Sequence, residues 1–96
     1  MIDRIVKEIC AVLGCTVEEL KSPCRKAEIS ACRMIACHHL RNFGLTVVEI
    51  GEVMNRTHGC VCRLMHKYED NYKYNMYFKM KCERTREAIG KLLQNV

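Results

Sequence analysis

The segment that decides the fold spans Leu45–Tyr68 and reads LTVVEIGEVMNRTHGCVCRLMHKY. Thr46 and Glu49 have the spacing of a capping box, which predicts a short helix that runs through Met54. Thr57 is a good N-cap residue, so a longer helix is expected to begin directly after it. A short helix, a tight turn and a longer helix in this order predict a helix-turn-helix.

Basic residues are concentrated in two blocks, one of which lies in this segment. The chain carries a formal net charge of +5, and residues 53–67 contain Arg56, Arg63 and Lys67 but no acidic residue. Residues 21–41 form the second block. On charge alone, a solvated surface explains these blocks as well as a nucleic-acid site does. The N-terminal end of a recognition helix, however, is the part that contacts the major groove and favours phosphate.

The rest of the chain is also predicted to be helical. Apolar residues at helical spacing indicate a first helix that stops at Gly14, and Thr16–Glu19 is a capping box for a short second helix that ends before Ser22-Pro23. A longer helix is expected from about Arg25 to Phe43. A bend near Asp70-Asn71 should separate the helix after Thr57 from a final helix.

No segment alternates apolar and polar residues with the period of a strand. We therefore predict an all-α fold of five to six helices with a helix-turn-helix. The chain of 96 residues is expected to form one domain, in which residues 70–96 form an extra C-terminal helix. The final helix carries an apolar stripe, which packs on the core, pairs with a second copy or docks on a partner protein: Phe78, Cys82, Thr85, Ile89, Leu92 and Val96.

Several functional classes lack their sequence signals. The chain has no apolar stretch long enough for a membrane span, no secretory signal, no phosphate-binding loop and no paired carboxylates or nucleophile–base pair. We predict a protein that is not an enzyme, has no catalytic residue or cofactor and does not bind a membrane.

Eight cysteines are unusual in a chain of this length. None forms a C-x-x-C pair, the spacing that most structural zinc sites use. We expect most to be reduced thiols that pack as small apolar residues, with no metal bound. A thiol- or zinc-sensing regulator is the weaker alternative.

Aromatic and basic residues alternate after Asp70. Tyr72, Tyr74, Tyr77 and Phe78 are mixed with Lys73, Lys79 and Lys81. Such a cluster is able to stack single-stranded bases. We favour the simpler interpretation, in which the aromatic residues pack the final helix on the core.

Four motifs follow one another between Ile2 and Lys67: Thr16–Ser22, the basic loop Arg25–Ile29, Glu49–Gly51 and Arg56–His58. In this order they resemble the C-terminal DNA-binding domain, domain IV, of the bacterial chromosomal replication initiator DnaA. The resemblance implies a Trp-repressor-like helix-turn-helix that binds a short duplex, the DnaA box. It also implies a bacterial, cytoplasmic protein associated with the nucleoid.

By this resemblance, the recognition helix reads the major groove and the basic loop reads the neighbouring minor groove. Arg33 corresponds to a contact with the DNA backbone, and Arg63 lies one helical turn beyond the reading end. The residues expected to bind double-stranded DNA are Arg25, Lys26, Arg33, Met34, Arg56, Thr57, His58, Gly59, Cys60 and Arg63.

The chain departs from the family at several of these positions. Thr57 replaces an aspartate, Gly59-Cys60 replaces two hydroxyl residues, Ala27 replaces a basic residue of the loop, and Met34 replaces a glutamine. The expected function is sequence-specific DNA binding in replication initiation or its regulation. The alternative is a transcriptional regulator or protein-interaction domain with altered or lost DNA readout.

Overall fold

Six helices make up the computed structural model, which describes residues 2–94. In chain order they are α1 (Ile2–Leu13), α2 (Val17–Lys21), α3 (Ala27–Asn42), α4 (Val47–Met54), α5 (His58–Tyr74) and α6 (Met76–Gln94). No strand occurs in the described range. The all-α prediction with a helix-turn-helix is therefore confirmed.

Helix α3 is the central element, and the other five helices pack around it. Its Ile35, Ala36, Cys37 and Leu40 have no solvent exposure, so apolar contacts surround this part of the helix on more than one side. Helices α4 and α5 pack on each other and on α3, whereas α1 and α6 pack on each other and close the opposite side of α3. This arrangement fixes the helix-turn-helix on a rigid support.

Both capping boxes form as the sequence predicts. The Thr16 hydroxyl oxygen accepts from the Glu19 N–H at 3.1 Å, and the Glu19 carboxylate accepts from the Thr16 N–H at 3.0 Å. Thr46 and Glu49 make the same pair of bonds at 3.2 and 2.9 Å. These bonds satisfy N–H groups that have no partner within a helix, so they fix where α2 and α4 begin.

The bend before the last helix lies at Asn75 rather than at Asp70-Asn71. The Asn75 carboxamide oxygen accepts from the N–H of Phe78 at 3.1 Å and thereby caps the start of α6. Asn71 lies within α5, and its carboxamide donates back to the Lys67 carbonyl at 2.8 Å instead of capping a new helix. The sequence contains several good N-cap residues near this bend. Asn75 is the one that caps α6, and a helix that begins there buries Phe78.

The apolar stripe of α6 packs within its own chain. Phe78, Cys82, Thr85 and Ile89 are buried and Leu92 is half-buried, because the helix lies against α1 and α5. The last position of the predicted stripe, Val96, lies outside the described residues. Within the described range, this side of α6 is occupied and is not free to pair with a second copy.

Five of the eight cysteines are buried, as expected of thiols that act as apolar packing residues. All eight are free thiols. Cys24 and Cys60 are partly exposed, and Cys62 is exposed. In residues 2–94, no group of three or more metal-binding side chains is close enough to hold an ion.

Over the same residues, no helix combines the length and the apolar character needed to cross a bilayer.

Candidate nucleic-acid interface

The turn between α4 and α5 is tight because one of its residues adopts a left-handed backbone and a glycine in α4 allows the turn to approach closely. Asn55 has the left-handed conformation, with φ 55° and ψ 49°, and the Arg56 N–H donates to the Gly51 carbonyl at 2.8 Å. A Cβ atom on Gly51 would collide with the carbonyl oxygen of Arg56. Glycine at this position therefore lets the turn close over α4, and asparagine tolerates the positive φ.

The N-terminal end of α5 is exposed. The Thr57 hydroxyl oxygen accepts from the Cys60 N–H at 3.2 Å and caps the helix, whereas His58 and Gly59 point to solvent and Cys60 is partly exposed. By helix geometry, the N–H groups of His58 and Gly59 have no carbonyl partner within α5. This end of the helix thus offers backbone donors and the positive end of a dipole to an anion.

Arg56 connects this turn to the basic loop. In the structure this loop is the segment between α2 and α3, residues 22–26, because residues 27–29, which the sequence had assigned to it, belong to α3. The Arg56 guanidinium donates to the carbonyl oxygens of Asn55 at 3.0 Å, of Lys21 at 3.3 Å and of Ser22. Arg25 and Lys26 in the loop are exposed. The start of α5 and the basic loop, which are about 30 residues apart in the chain, are therefore neighbours on one surface.

Arg33 does not lie at this surface, although the resemblance placed it against DNA. Only 6% of the residue is exposed, and its guanidinium donates to four carbonyl oxygens between Glu19 and Cys24 at 2.6–3.0 Å. Burial lowers the pKa of Arg33, and the charge of Arg56 lowers it further. Because every bond goes to the C-terminal end of α2 or to the basic loop, Arg33 supports the loop from below.

Met34 is also buried, with 9% of its surface exposed. Its sulfur atom lies 3.7 Å from the carboxamide nitrogen of Asn71 on α5. The structure therefore places Met34 between α3 and α5 rather than at the surface expected for it. Arg63, in contrast, is exposed one turn beyond the start of α5, as expected.

Three residues that we did not select from the sequence share the exposed side of α5 with Arg63. Cys62, His66 and Lys67 are exposed, and residues 59, 62–63 and 66–67 recur at helical spacing along one face. This periodicity was present in the sequence and is the signal that identifies them. No such signal identified the Ser22 carbonyl as an acceptor or Arg33 as its buried donor. Every residue has a main-chain carbonyl, so the sequence does not show which of them will accept a side-chain hydrogen bond.

A family model described as the bacterial DnaA protein helix-turn-helix matches residues 2–67. The chain belongs to this family. The DnaA helix-turn-helix is a DNA-binding domain and not a catalytic one, so DNA binding is the function that the family supports.

One relative extends the similarity past the family model. The chain is 27% identical over 94 residues to the chromosomal replication initiator protein DnaA of Pseudothermotoga lettingae. The alignment covers 95% of this chain and 21% of that protein. The chain therefore spans about a fifth of the length of this DnaA relative. The match includes α6, which lies beyond the residues of the family model.

Proposed function

We propose that the chain binds double-stranded DNA sequence-specifically, in the manner of DnaA-box recognition during replication initiation or its regulation. The N-terminal end of α5 lies in the major groove, where His58, Gly59 and Cys60 face base edges or the adjacent backbone. Arg63 contacts phosphate one turn along α5. This function places the protein on the bacterial chromosome.

One observation supports this proposal above the others, namely the contact of Arg56 with the basic loop. It places two exposed elements next to each other, which are the end of a helix whose first N–H groups have no partner within that helix and a loop with two exposed cations. A helix end in the major groove and a basic segment over the neighbouring backbone together match the shape of a duplex. Arg25 and Lys26 supply the loop contacts, to phosphate or to the minor groove.

In this proposal, Arg33 and Met34 do not touch DNA. Arg33 holds the loop in position, because its donors are already engaged with main-chain carbonyls. Arg56 has the same role toward the loop, and its partly exposed guanidinium lies at the DNA surface. The Thr57 hydroxyl oxygen accepts the capping bond of α5. Its first role is therefore within the protein, and a contact with a base comes second.

A binding titration against a DnaA-box duplex and a scrambled duplex tests the proposal. Each phosphate neutralised gives a slope of roughly −0.9 in a plot of log affinity against log salt concentration, so several contacts give a steep slope. The His58→Ala and Arg25→Ala variants should each weaken binding. Arg86→Ala on α6 is the matched control, because it removes one exposed cation from a helix outside this surface.

A flat salt slope with every duplex would refute DNA binding, and equal affinity for both duplexes would refute recognition of the box. The departures at Ala27, Thr57, Gly59 and Cys60, together with the internal bonds of Arg56, favour a second candidate function. This is a regulatory or protein-interaction domain that has altered or lost the DNA readout. Selection of bound sites from random duplexes separates the two, since a domain without readout enriches no sequence.

A further inference from the structure

The junction of α5 and α6 carries a second surface with exposed aromatic rings. Tyr74 and Tyr77 are 77% and 70% exposed, whereas Phe78 in the same cluster is 5% exposed. Packing on the core, which we expected of the whole cluster, is thus found for Phe78 but not for these two tyrosines. Water-exposed rings of this size on both sides of a helix break need a different explanation.

Lysine side chains accompany the tyrosine rings. The ammonium of Lys73 lies 5.2 Å from the ring centre of Tyr74, and that of Lys81 lies 5.0 Å from the ring centre of Tyr77. No acidic residue occurs from Asn71 to Cys82. Lys79 lies elsewhere, with its ammonium 5.4 Å from the ring centre of Tyr72, because residues two apart in a helix face different sides. We name Lys73, Tyr74, Tyr77 and Lys81 the tyrosine–lysine patch.

The patch continues into a groove toward the first helix turn of α3. The groove has a volume of about 270 Å³, and Tyr77 and Lys81 form part of its wall beside Ala27, Ser30 and Asn75. No acidic side chain lines it. A neighbouring groove, which also contains Glu19 and Glu28, runs from the same tyrosine and lysine to Lys26 of the basic loop.

We propose that the tyrosine–lysine patch binds a single strand of nucleic acid, with bases stacked on Tyr74 and Tyr77 and phosphates paired with the lysines. Exposed rings beside cations are the combination that binds single strands without sequence preference, because every base has a face that can stack. The absence of acidic residues in the segment fits a polyanion. A purely apolar partner would gain nothing from the two lysines.

This site is separate from the duplex surface and does not depend on it. The duplex surface uses the N-terminal end of α5, and the tyrosine–lysine patch lies at the C-terminal end of the same helix. The groove that reaches Lys26 lies between the two, and it is lined by both basic and acidic side chains, among them Lys26, Lys81 and Glu28.

Fluorescence anisotropy with labelled oligo(dT) and oligo(rU) of about 20 nucleotides, longer than one typical site, tests the proposal. The wild-type chain should bind both with similar affinity, because stacking does not require the ribose hydroxyl. The Tyr74→Ala/Tyr77→Ala variant should lose about tenfold or more in affinity, which corresponds to about 1.4 kcal/mol or more. Its affinity for duplex DNA should not change.

Three matched variants define the mechanism. Tyr74→Phe/Tyr77→Phe should keep binding, because the rings remain. Met76→Ala/Met80→Ala removes exposed apolar side chains, 77% and 50% exposed, from the same junction and should also keep it. Changing Lys73 and Lys81 to alanine should make the salt slope less negative by roughly 1.4, at about −0.7 per phosphate on a single strand.

Several outcomes would overturn the proposal. These are the absence of single-strand binding by the wild-type chain, equal binding by the Tyr74→Ala/Tyr77→Ala variant, or equal losses in the methionine and tyrosine variants. Binding of the patch to vesicles with anionic lipids, without binding to either oligonucleotide, would assign it to a membrane surface instead. Because all substituted side chains are exposed or partly exposed, circular dichroism should show that each variant folds.

Discussion

Arg33 and Arg56 donate to the same main-chain oxygen, the carbonyl of Ser22. Arg33 reaches it from the buried side, at 2.7 Å, and Arg56 reaches it from the turn of the helix-turn-helix. Two like charges converge there because the carbonyl groups at the end of α2 supply the compensating negative potential. The basic loop is therefore held between the central helix and the start of the recognition helix.

Substitution of Arg33 should destabilise the fold. Arg33→Met leaves several carbonyl oxygens near Leu20 and Cys24 without their donors, so we expect a loss of about 3 kcal/mol in the free energy of unfolding. Urea denaturation measures it. Arg25→Met is the control, since this exposed arginine should change stability by less than about 0.5 kcal/mol. An equal, small effect of both substitutions would contradict the structural role of Arg33.

The turn should not accept a side chain at Gly51. The Gly51→Ala variant places a Cβ atom against the carbonyl oxygen of Arg56, so the free energy of unfolding should fall by about 1–3 kcal/mol. Gly90→Ala in α6 is the matched control. That site has open space, so alanine should be neutral or stabilise by up to about 1 kcal/mol. Thermal unfolding of both variants distinguishes the collision from a general effect of alanine.

Stability should fall in mild acid because of His39. Its Nε2 lies 2.9 Å from the Thr85 hydroxyl oxygen, and burial lowers the pKa of His39 to about 4, with His38 and Arg86 adding to the shift. In the unfolded chain this histidine binds its proton near pH 6.5. The contribution of neutral His39 to the free energy of unfolding is therefore fully present above that pH. It is lost as the pH falls toward 4, with a decrease of up to about 3 kcal/mol.

Urea denaturation between these two pH values measures the effect in the wild type and in two variants. His39→Gln should flatten the pH dependence, because glutamine keeps a hydrogen-bonding group but does not titrate. His66→Gln, at an exposed site on α5, should leave the dependence as it is in the wild type. Burial also lowers the pKa of His38, so part of the slope should remain in His39→Gln.

Thiol reactivity should separate the cysteines into groups. Cys62 is exposed and should be alkylated first at neutral pH, whereas burial raises the pKa of Cys10 and Cys37 to about 12 and should protect both until the chain unfolds. Mass spectrometry of timed alkylation measures the order. Bound duplex should slow the reaction of Cys60 and Cys62. Protection of Cys24 alone would contradict the proposed place of α5 on the duplex.

The sequence by itself determined the number and order of the helices and most of their starts, although it misplaced the bend that lies at Asn75. Thr16, Thr46 and Thr57 fix where three helices begin, because a cap is a local bond between residues three apart. Apolar spacing was sufficient for the remaining helices and for an all-α fold, since this periodicity also lies within one element. The basic blocks and the ordered motifs also identified the DnaA family from residue types alone.

Only the tertiary structure decided which of these residues face outward. Arg33 and Arg25 are the same residue type in the same basic block, yet one is buried beneath a loop and the other is exposed. Tyr77 and Phe78 are adjacent aromatic residues, yet only Phe78 reaches the core. Burial and partners depend on contacts between distant segments and on main-chain carbonyls, which have the same chemistry at every position and leave no pattern in the sequence.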